Sequence, residues 1–231
     1  MPRDSDIDDA AAPPYPLGGT HGEENGMVQP RSRRSITPEE YLALERRAET
    51  RSEYLDGEMF AMAGGSRPHN LIVTNLVREL STQLMTADCE VYSSDQRVRV
   101  PETGLYTYPD VVVACGEPRF EDEQLDTLLN PSFILEVLSA STEAYDRGKK
   151  FAQYRTQDSL MEYVLVAQDE PRVEQYVRQE GKWLLSVTAG LEATLALPSV
   201  QCTLALDRLY HKVGFPEPVP SGPEERRGAG L

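Results

Sequence analysis

Two short apolar runs constrain this chain more than anything else in it, because each carries a carboxylate where a carboxylate is costly. In NPSFILEVLSASTEAYDRGKKFAQY, residues 130–154, Glu136 interrupts Phe133, Ile134, Leu135, Val137 and Leu138. A run this short and this apolar marks a strand buried on both faces of a sheet. A lone carboxylate in such a strand costs several kcal/mol unless something pairs with it. In YPDVVVACG, Asp110 opens a second apolar strand just after Pro109. If the two strands are neighbours, both acids converge at one point on the sheet. Two anions held close repel each other and need neutralising. A divalent cation such as Mg²⁺ does this with oxygen ligands while keeping several waters. It can then activate water and stabilise charge on a phosphate. The plainer alternative is that each acid meets an arginine or backbone amides at a strand end.

Lysines are scarce: Lys149, Lys150, Lys182 and Lys212. Two of them fall in the helix that follows the Glu136 strand. There Asp146, Lys150 and Tyr154 stand at i, i+4 and i+8, roughly along one helical face. If that face points at the strand ends, Lys150 reaches the carboxylates and can hold a phosphate or orient a water. The ordinary alternative is an Asp146–Lys150 surface pair of small worth. His69 opens the next helical pattern upstream, after GGSRP, where a helix N-terminus also favours anions. Glu53 and Glu58 bracket an Asp56-Gly57 turn, and a solvated hairpin explains them adequately. No Ser-His-Asp order, Walker loop or GxGxxG motif is present, and three histidines with scattered cysteines argue against a zinc enzyme.

The element order predicts an α/β domain on one sheet. Residues 1–35 lack apolar periodicity and are expected to be a disordered leader, with Met27 as an alternative start. The ordered domain is expected over 36–215, and a disordered Pro/Gly-rich tail over 216–231. Thr37, Pro38 and Glu40 have the pattern of a capping box, opening a helix to about Ala48. A hairpin turning at Asp56-Gly57 follows, then a helix over 68–86. Strands are expected near 90–99, 108–114 and 132–138, a helix over 143–157, and a strand at 161–167. A second hairpin turns at Glu180-Gly181, and a short helix closes the domain at 205–212.

Charge limits the partners. The chain carries −15; residues 1–35 and 216–231 account for little of it, leaving −12 on the rest. Such a field repels nucleic acid, so binding DNA would need a local basic rim. Arg67, Arg97, Arg99, Arg147 and Lys149 are the candidates. Cys89, Cys115 and Cys202 are odd in number and far apart, and are read as reduced packing residues of a cytoplasmic protein. No apolar stretch approaches the roughly 20 residues of a membrane span.

RSEYLDGEMFAMAGGSRPHN, YPDVVVA, ILEVLSASTEAYDRGKKFAQY and MEYVLVAQDEPRVEQY occur in that order. Together they resemble the Uma family of putative restriction endonucleases, within the PD-(D/E)XK nuclease superfamily. The resemblance covers Ile36 to Val213. It implies a restriction-endonuclease-like mixed α/β fold with an αβββαβ core, an N-terminal helix-hairpin and a C-terminal hairpin. It also implies that Asp110 and Glu136 are the metal-binding acids, with the backbone carbonyl of Val137 as a further metal ligand. Glu53 and His69 match family positions on the N-terminal side of the site, and a D…K…Y motif falls on Asp146, Lys150 and Tyr154. One departure stands out: Leu138 occupies the position of the motif lysine, and Lys150 is the candidate replacement, with Lys149 second. The implied activity is Mg²⁺- or Mn²⁺-dependent hydrolysis of DNA phosphodiester bonds by metal-activated water. The alternative is a catalytically silent nuclease-fold module that binds nucleic acid or a protein. A two-carboxylate glycosidase is disfavoured, since no aromatic sugar platform is evident. Cutting both strands suggests a homodimer, with the 172–188 hairpin as an edge.

Overall fold

The structure is a computed structural model that describes residues 35–215. The expectations for the leader, for Met27 and for the tail fall outside those residues, Ser35 excepted. In chain order the elements are α1 (Pro38–Glu45), β1 (Ser52–Leu55), β2 (Glu58–Ala61), α2 (Arg67–Gln83), β3 (Cys89–Ser93), β4 (Arg97–Val100), β5 (Leu105–Thr107), β6 (Val111–Cys115), β7 (Thr127–Leu128) and β8 (Phe133–Val137). A broken helix follows, made of α3 (Glu143–Tyr145), a π-helical turn (Asp146–Lys150) and α4 (Phe151–Tyr154). The chain closes with β9 (Glu162–Val166), β10 (Arg172–Gln179), β11 (Lys182–Ala189), β12 (Thr194–Leu197), β13 (Cys202–Ala205) and α5 (Leu206–Leu209).

Local chemistry explains several of these elements. Thr37 accepts from the Glu40 amide at 3.2 Å, and the Glu40 carboxylate accepts from the Thr37 amide at 3.0 Å, closing the capping box. Both tight hairpin turns need positive φ at two successive residues. Asp56 and Gly57 take 51° and 86°, and Glu180 and Gly181 take 49° and 76°. Ser66 caps α2 by accepting from the His69 amide.

There are two principal sheets where one was expected. A five-stranded sheet runs β2-β1-β5-β4-β7, and a six-stranded sheet runs β11-β10-β9-β8-β6-β3. In the second sheet β8 and β9 are parallel and the other neighbours antiparallel. Its succession α2, β3, β6, β8, α3–α4, β9 is the αβββαβ order. The run expected as one strand near 90–99 is split by a turn in which the Gln96 amide donates to the Ser93 carbonyl. The two pieces join different sheets. The run at 108–114 likewise breaks around Pro109, which has no N–H to give a ladder. Asp110 therefore stands at the end of β6, just where the chain passes between sheets.

Three apolar clusters make the layers. Tyr41 and Leu42 of α1 pack on Tyr54 and Tyr106, covering the outer face of the five-stranded sheet. Val98, Val100, Leu105 and Leu128 meet Val112, Ala114, Ile134, Leu138 and Leu165 between the two sheets, with Tyr154 of α4. On the far face of the six-stranded sheet, Phe133, Leu135 and Val137 pack with Ile72, Leu76 and Leu80 of α2 and with Leu195 and Leu204 of the β12–β13 hairpin. Strand alternation thus sends Ile134, Glu136 and Leu138 to the face between the sheets. β11 is an outer strand, with Leu184, Leu185 and Val187 exposed.

Three other expectations need correction. The β12–β13 hairpin was not anticipated. The helix expected over 143–157 is not regular: it widens into a π turn around Gly148, a poor α-former, as buried Asp146 and Lys150 enter a charged cluster. Cys89 and Cys115 are not reduced; they face each other across β3 and β6 and form a disulfide, while Cys202 is free and buried. Sequence separation hid this pairing, because strand register brings together residues 26 apart. Among the described residues, no helix is long and apolar enough to cross a membrane.

Candidate active site

The antiparallel pairing of β6 with β8 does bring Asp110 and Glu136 together. The Asp110 amide donates to Glu136 Oε2 at 3.4 Å, and Asp110 Oδ2 accepts from the Val137 amide at 2.7 Å. Each acid thus engages the backbone beside the other. Glu136 is buried, and its Oε1 accepts from Lys150 Nζ at 2.9 Å and from the Tyr154 hydroxyl at 2.9 Å. The cost of burying Glu136 is therefore offset first by an ammonium.

Lys150 is the hub. Its Nζ also lies 3.0 Å from Glu53 Oε1 and 3.7 Å from Asp146 Oδ1. The π turn places Asp146 and Lys150 toward the sheets, and α4 continues with Tyr154 on the same side. Glu53 reaches the site from β1 and accepts from Thr107 Oγ1 at 2.5 Å. Leu138 is buried in the apolar layer between the sheets, so the motif position holds packing and the charge comes from the helix.

His69, from the first turn of α2, lies 3.1 Å from Asp110 Oδ2 through Nε2, while its buried Nδ1 has no hydrogen-bond partner. Val137 is buried, pairs with Val166, and is positioned by its amide bond to Asp110.

The electrostatics are lopsided. Among the described residues, Glu53, Glu136 and Asp146 gather around the permanent cation Lys150, while Asp110 meets His69, a titratable second. Burial pushes the Glu136 carboxyl up to about 8, against the pull of Lys150 and with help from Asp110 and Asp146. Burial likewise raises Asp146, although Lys150 opposes it. Burial alone would lower the Lys150 ammonium, but Glu136, Glu53 and Asp146 outweigh it and hold Lys150 well above the usual lysine range. His69 is raised by its bond to Asp110 more than burial lowers it.

Among the described residues, no group of three or more His, Cys, Asp or Glu side chains is arranged to hold a metal ion. The two strand carboxylates are nonetheless hard oxygen donors in a region of excess negative charge. That suits a small hard cation that keeps most of its waters.

The expected basic rim is largely absent. Arg97 is buried, donates to Thr127 Oγ1 and the Tyr108 hydroxyl at 2.9 Å each, and pairs with Asp126 at 2.9 Å. Arg99 pairs with Glu121 and lies over Tyr106. Arg147 pairs with Glu143 at 3.0 Å and Glu174 at 3.2 Å. The acidic stretch 117–126 and strand β10 consume these cations, which the sequence spacing did not reveal. Arg67 and Lys149 remain exposed, without an ion pair among the described residues. Thr107 was missed as a site residue, although it stands three positions before Asp110 on a strand bound for the other sheet.

A family described as "Putative restriction endonuclease", Uma2, matches residues 38–207. The chain belongs to the Uma2 family. Two uncharacterised proteins of Synechocystis sp. are similar to it. One is 36% identical over 181 residues, covering 78% of this chain and 94% of that protein. The other is 39% identical over 161 residues, covering 69% and 91%. A crystal structure from Anabaena variabilis, of a putative nuclease belonging to DUF820, superposes with a TM-score of 0.62. At 20% identity, covering 76% of this chain and 97% of that one, it bears on the fold alone. Fold and family thus agree with the mixed α/β, restriction-endonuclease-like Uma2 architecture.

Proposed function

We propose that this Uma2 protein is a Mg²⁺- or Mn²⁺-dependent endonuclease that hydrolyses phosphodiester bonds of DNA. One observation carries the reading: Lys150 Nζ lies 2.9 Å from Glu136 Oε1, beside Asp110, so acid, acid and lysine converge although the lysine is absent from position 138. Asp110 and Glu136, with the Val137 carbonyl, would hold the cation. The cation supplies Lewis-acid activation of water and stabilisation of phosphate charge. Lys150 offers an ammonium to a phosphate oxygen or orients the attacking water. Glu53, fixed by Thr107, keeps Lys150 from collapsing wholly onto Glu136. His69 can take or return a proton at Nε2, where it now meets Asp110. The catalytically silent alternative draws on Leu138 and on the −12 charge of the domain; a lysine supplied by the helix weakens the first support and leaves the second.

Plasmid incubated with pure protein and Mg²⁺ or Mn²⁺ tests the reading. The wild type is expected to nick and linearise it, and Glu136→Ala and Lys150→Met to lose at least about 100-fold in rate, the scale of one positioned charge in a site of this kind. Cleavage that survives Glu136→Ala refutes the site.

A further inference from the structure

The face of the five-stranded sheet that carries Glu53 continues past the site to the protein surface. Strand register sets Phe60 of β2 directly opposite Glu53 of β1, and Thr107 of β5 opposite Val98 of β4. The Thr107–Glu53 hydrogen bond joins these two pairs on one face. Directly opposed residues share a face with their Cβ atoms about 5 Å apart. Phe60, Glu53, Thr107 and Val98 therefore form one row across the sheet. Its inner end is buried in the layer between the sheets, its middle touches Lys150, and its outer end, Phe60, is 49% exposed. Met62, two residues further on, is 37% exposed. Single exposed apolar residues are ordinary. This one adjoins the Glu53–Lys150 pair, on an edge strand that leads into the glycine loop before His69.

The charges around the site do not suit a grip on duplex DNA. Such a grip relies on many lysine and arginine contacts to phosphates. Here Arg97, Arg99 and Arg147 are committed to internal acids, leaving Arg67 and Lys149 on a strongly acidic chain. Stacking of bases on aromatic side chains adds affinity to whatever charge contacts remain, and it needs a base that is not already paired and stacked.

We propose that Phe60, flanked by Met62, is a stacking platform for an unpaired base, and that this site prefers single-stranded DNA to duplex. The platform lies opposite Glu53, the partner of Lys150, so a base stacked on it would sit beside the site. It rests on the nuclease reading for the nature of the ligand, but stacking itself requires no cleavage.

The test is binding of labelled oligonucleotides to the full-length chain, followed by fluorescence anisotropy with Ca²⁺ in place of Mg²⁺. Cleavage is measured separately with Mg²⁺. Wild type is expected to bind a single strand at least about 10-fold tighter than its duplex. Phe60→Ala should lose roughly 10- to 100-fold of that affinity, the contribution of one stacked base. Phe60→Trp should keep it. Circular dichroism confirms that both variants fold, as substitution of an exposed residue should allow. Equal or tighter binding of duplex, or Phe60→Ala within about twofold of wild type, overturns the proposal. Phe60-dependent single-strand binding without cleavage would sink the nuclease reading and leave the platform standing. Duplex cleavage indifferent to Phe60→Ala would do the reverse.

Discussion

Replacing Lys150 by methionine should destabilise the protein in a pH-dependent way. Lys150 Nζ lies 2.9 Å from Glu136, 3.0 Å from Glu53 and 3.7 Å from Asp146, all largely buried. Methionine fills similar space but leaves three acids without their cation. Removing one partner of a buried pair costs about 3–5 kcal/mol, a large part of the 5–15 kcal/mol typical of a domain, to order of magnitude. The sign of the pH dependence follows from Glu136. Burial already raises its carboxyl to about 8, and Lys150 is the main influence holding it down. A carboxyl raised on folding keeps a proton that the unfolded chain releases near its ordinary value of about 4.3. Stability then falls as pH rises from there through the folded value. Without Lys150 that folded value rises further, so the decline extends to higher pH. Lys150 itself is raised, so its contribution in the wild type is fully present below the ordinary lysine value and is lost only at higher pH. The gap between wild type and Lys150→Met should therefore stay roughly constant up to about pH 7, where Glu136 keeps its proton in both, and widen above pH 8, where the wild-type carboxyl ionises beside its ammonium and the variant's does not. Urea unfolding followed by circular dichroism at a series of pH values, in chelator, measures it. A loss below about 1 kcal/mol at pH 7, or one that does not grow between pH 7 and pH 9, would mean that Lys150 does not neutralise buried carboxylates.

Glu136→Gln should abolish cleavage yet stabilise the metal-free protein above pH 8, by up to about 4 kcal/mol, with little effect near pH 5; thermal unfolding across pH checks this. Leu138→Lys combined with Lys150→Met should recover part of the plasmid cleavage lost in Lys150→Met alone, because Leu138 shares the Glu136 face of β8; a double variant as inactive as the single one counts against a relocated lysine. Thr107→Val should weaken the hold on Glu53 and cost about 1–2 kcal/mol, as the loss of a buried donor to a charged acceptor does; denaturant unfolding reads it out. Reducing the Cys89–Cys115 disulfide, or Cys89→Ser with Cys115→Ser, should cost about 3 kcal/mol for the loop it closes, visible as a lower unfolding midpoint, while intact mass should show one bond in the unreduced chain.

Much of the site was legible in the sequence because it rests on local signals. Asp110 and Glu136 betray themselves by standing in apolar runs. Asp146, Lys150 and Tyr154 share a spacing that any helix turns into one face, and the π turn altered its pitch without dispersing them. His69 drew attention by its place at a helix N-terminus, whereas Glu53 was named through family likeness alone, since nothing in a solvated hairpin singles it out. Thr107 escaped notice because a threonine in a short strand has no local oddity. Arg97, Arg99 and Arg147 show the converse failure. Their composition suggested a rim, but Asp126, Glu121 and Glu174 claim them from other parts of the chain.

The sequence alone determined the capped first helix, the two positive-φ hairpins, the doubly buried strands and the acids within them. These follow from backbone sterics, capping hydrogen bonds and side-chain alternation, all of which act over a few residues. Tertiary structure decided the rest. It divided the strands between two sheets, brought Cys89 onto Cys115, and chose which cations would be spent on acids and which left free. It also explains Glu136: a carboxylate is tolerated in that strand because burial, an ammonium 2.9 Å away and a tyrosine hydroxyl are set around it together. Those are distances across the chain, and no spacing along it encodes them.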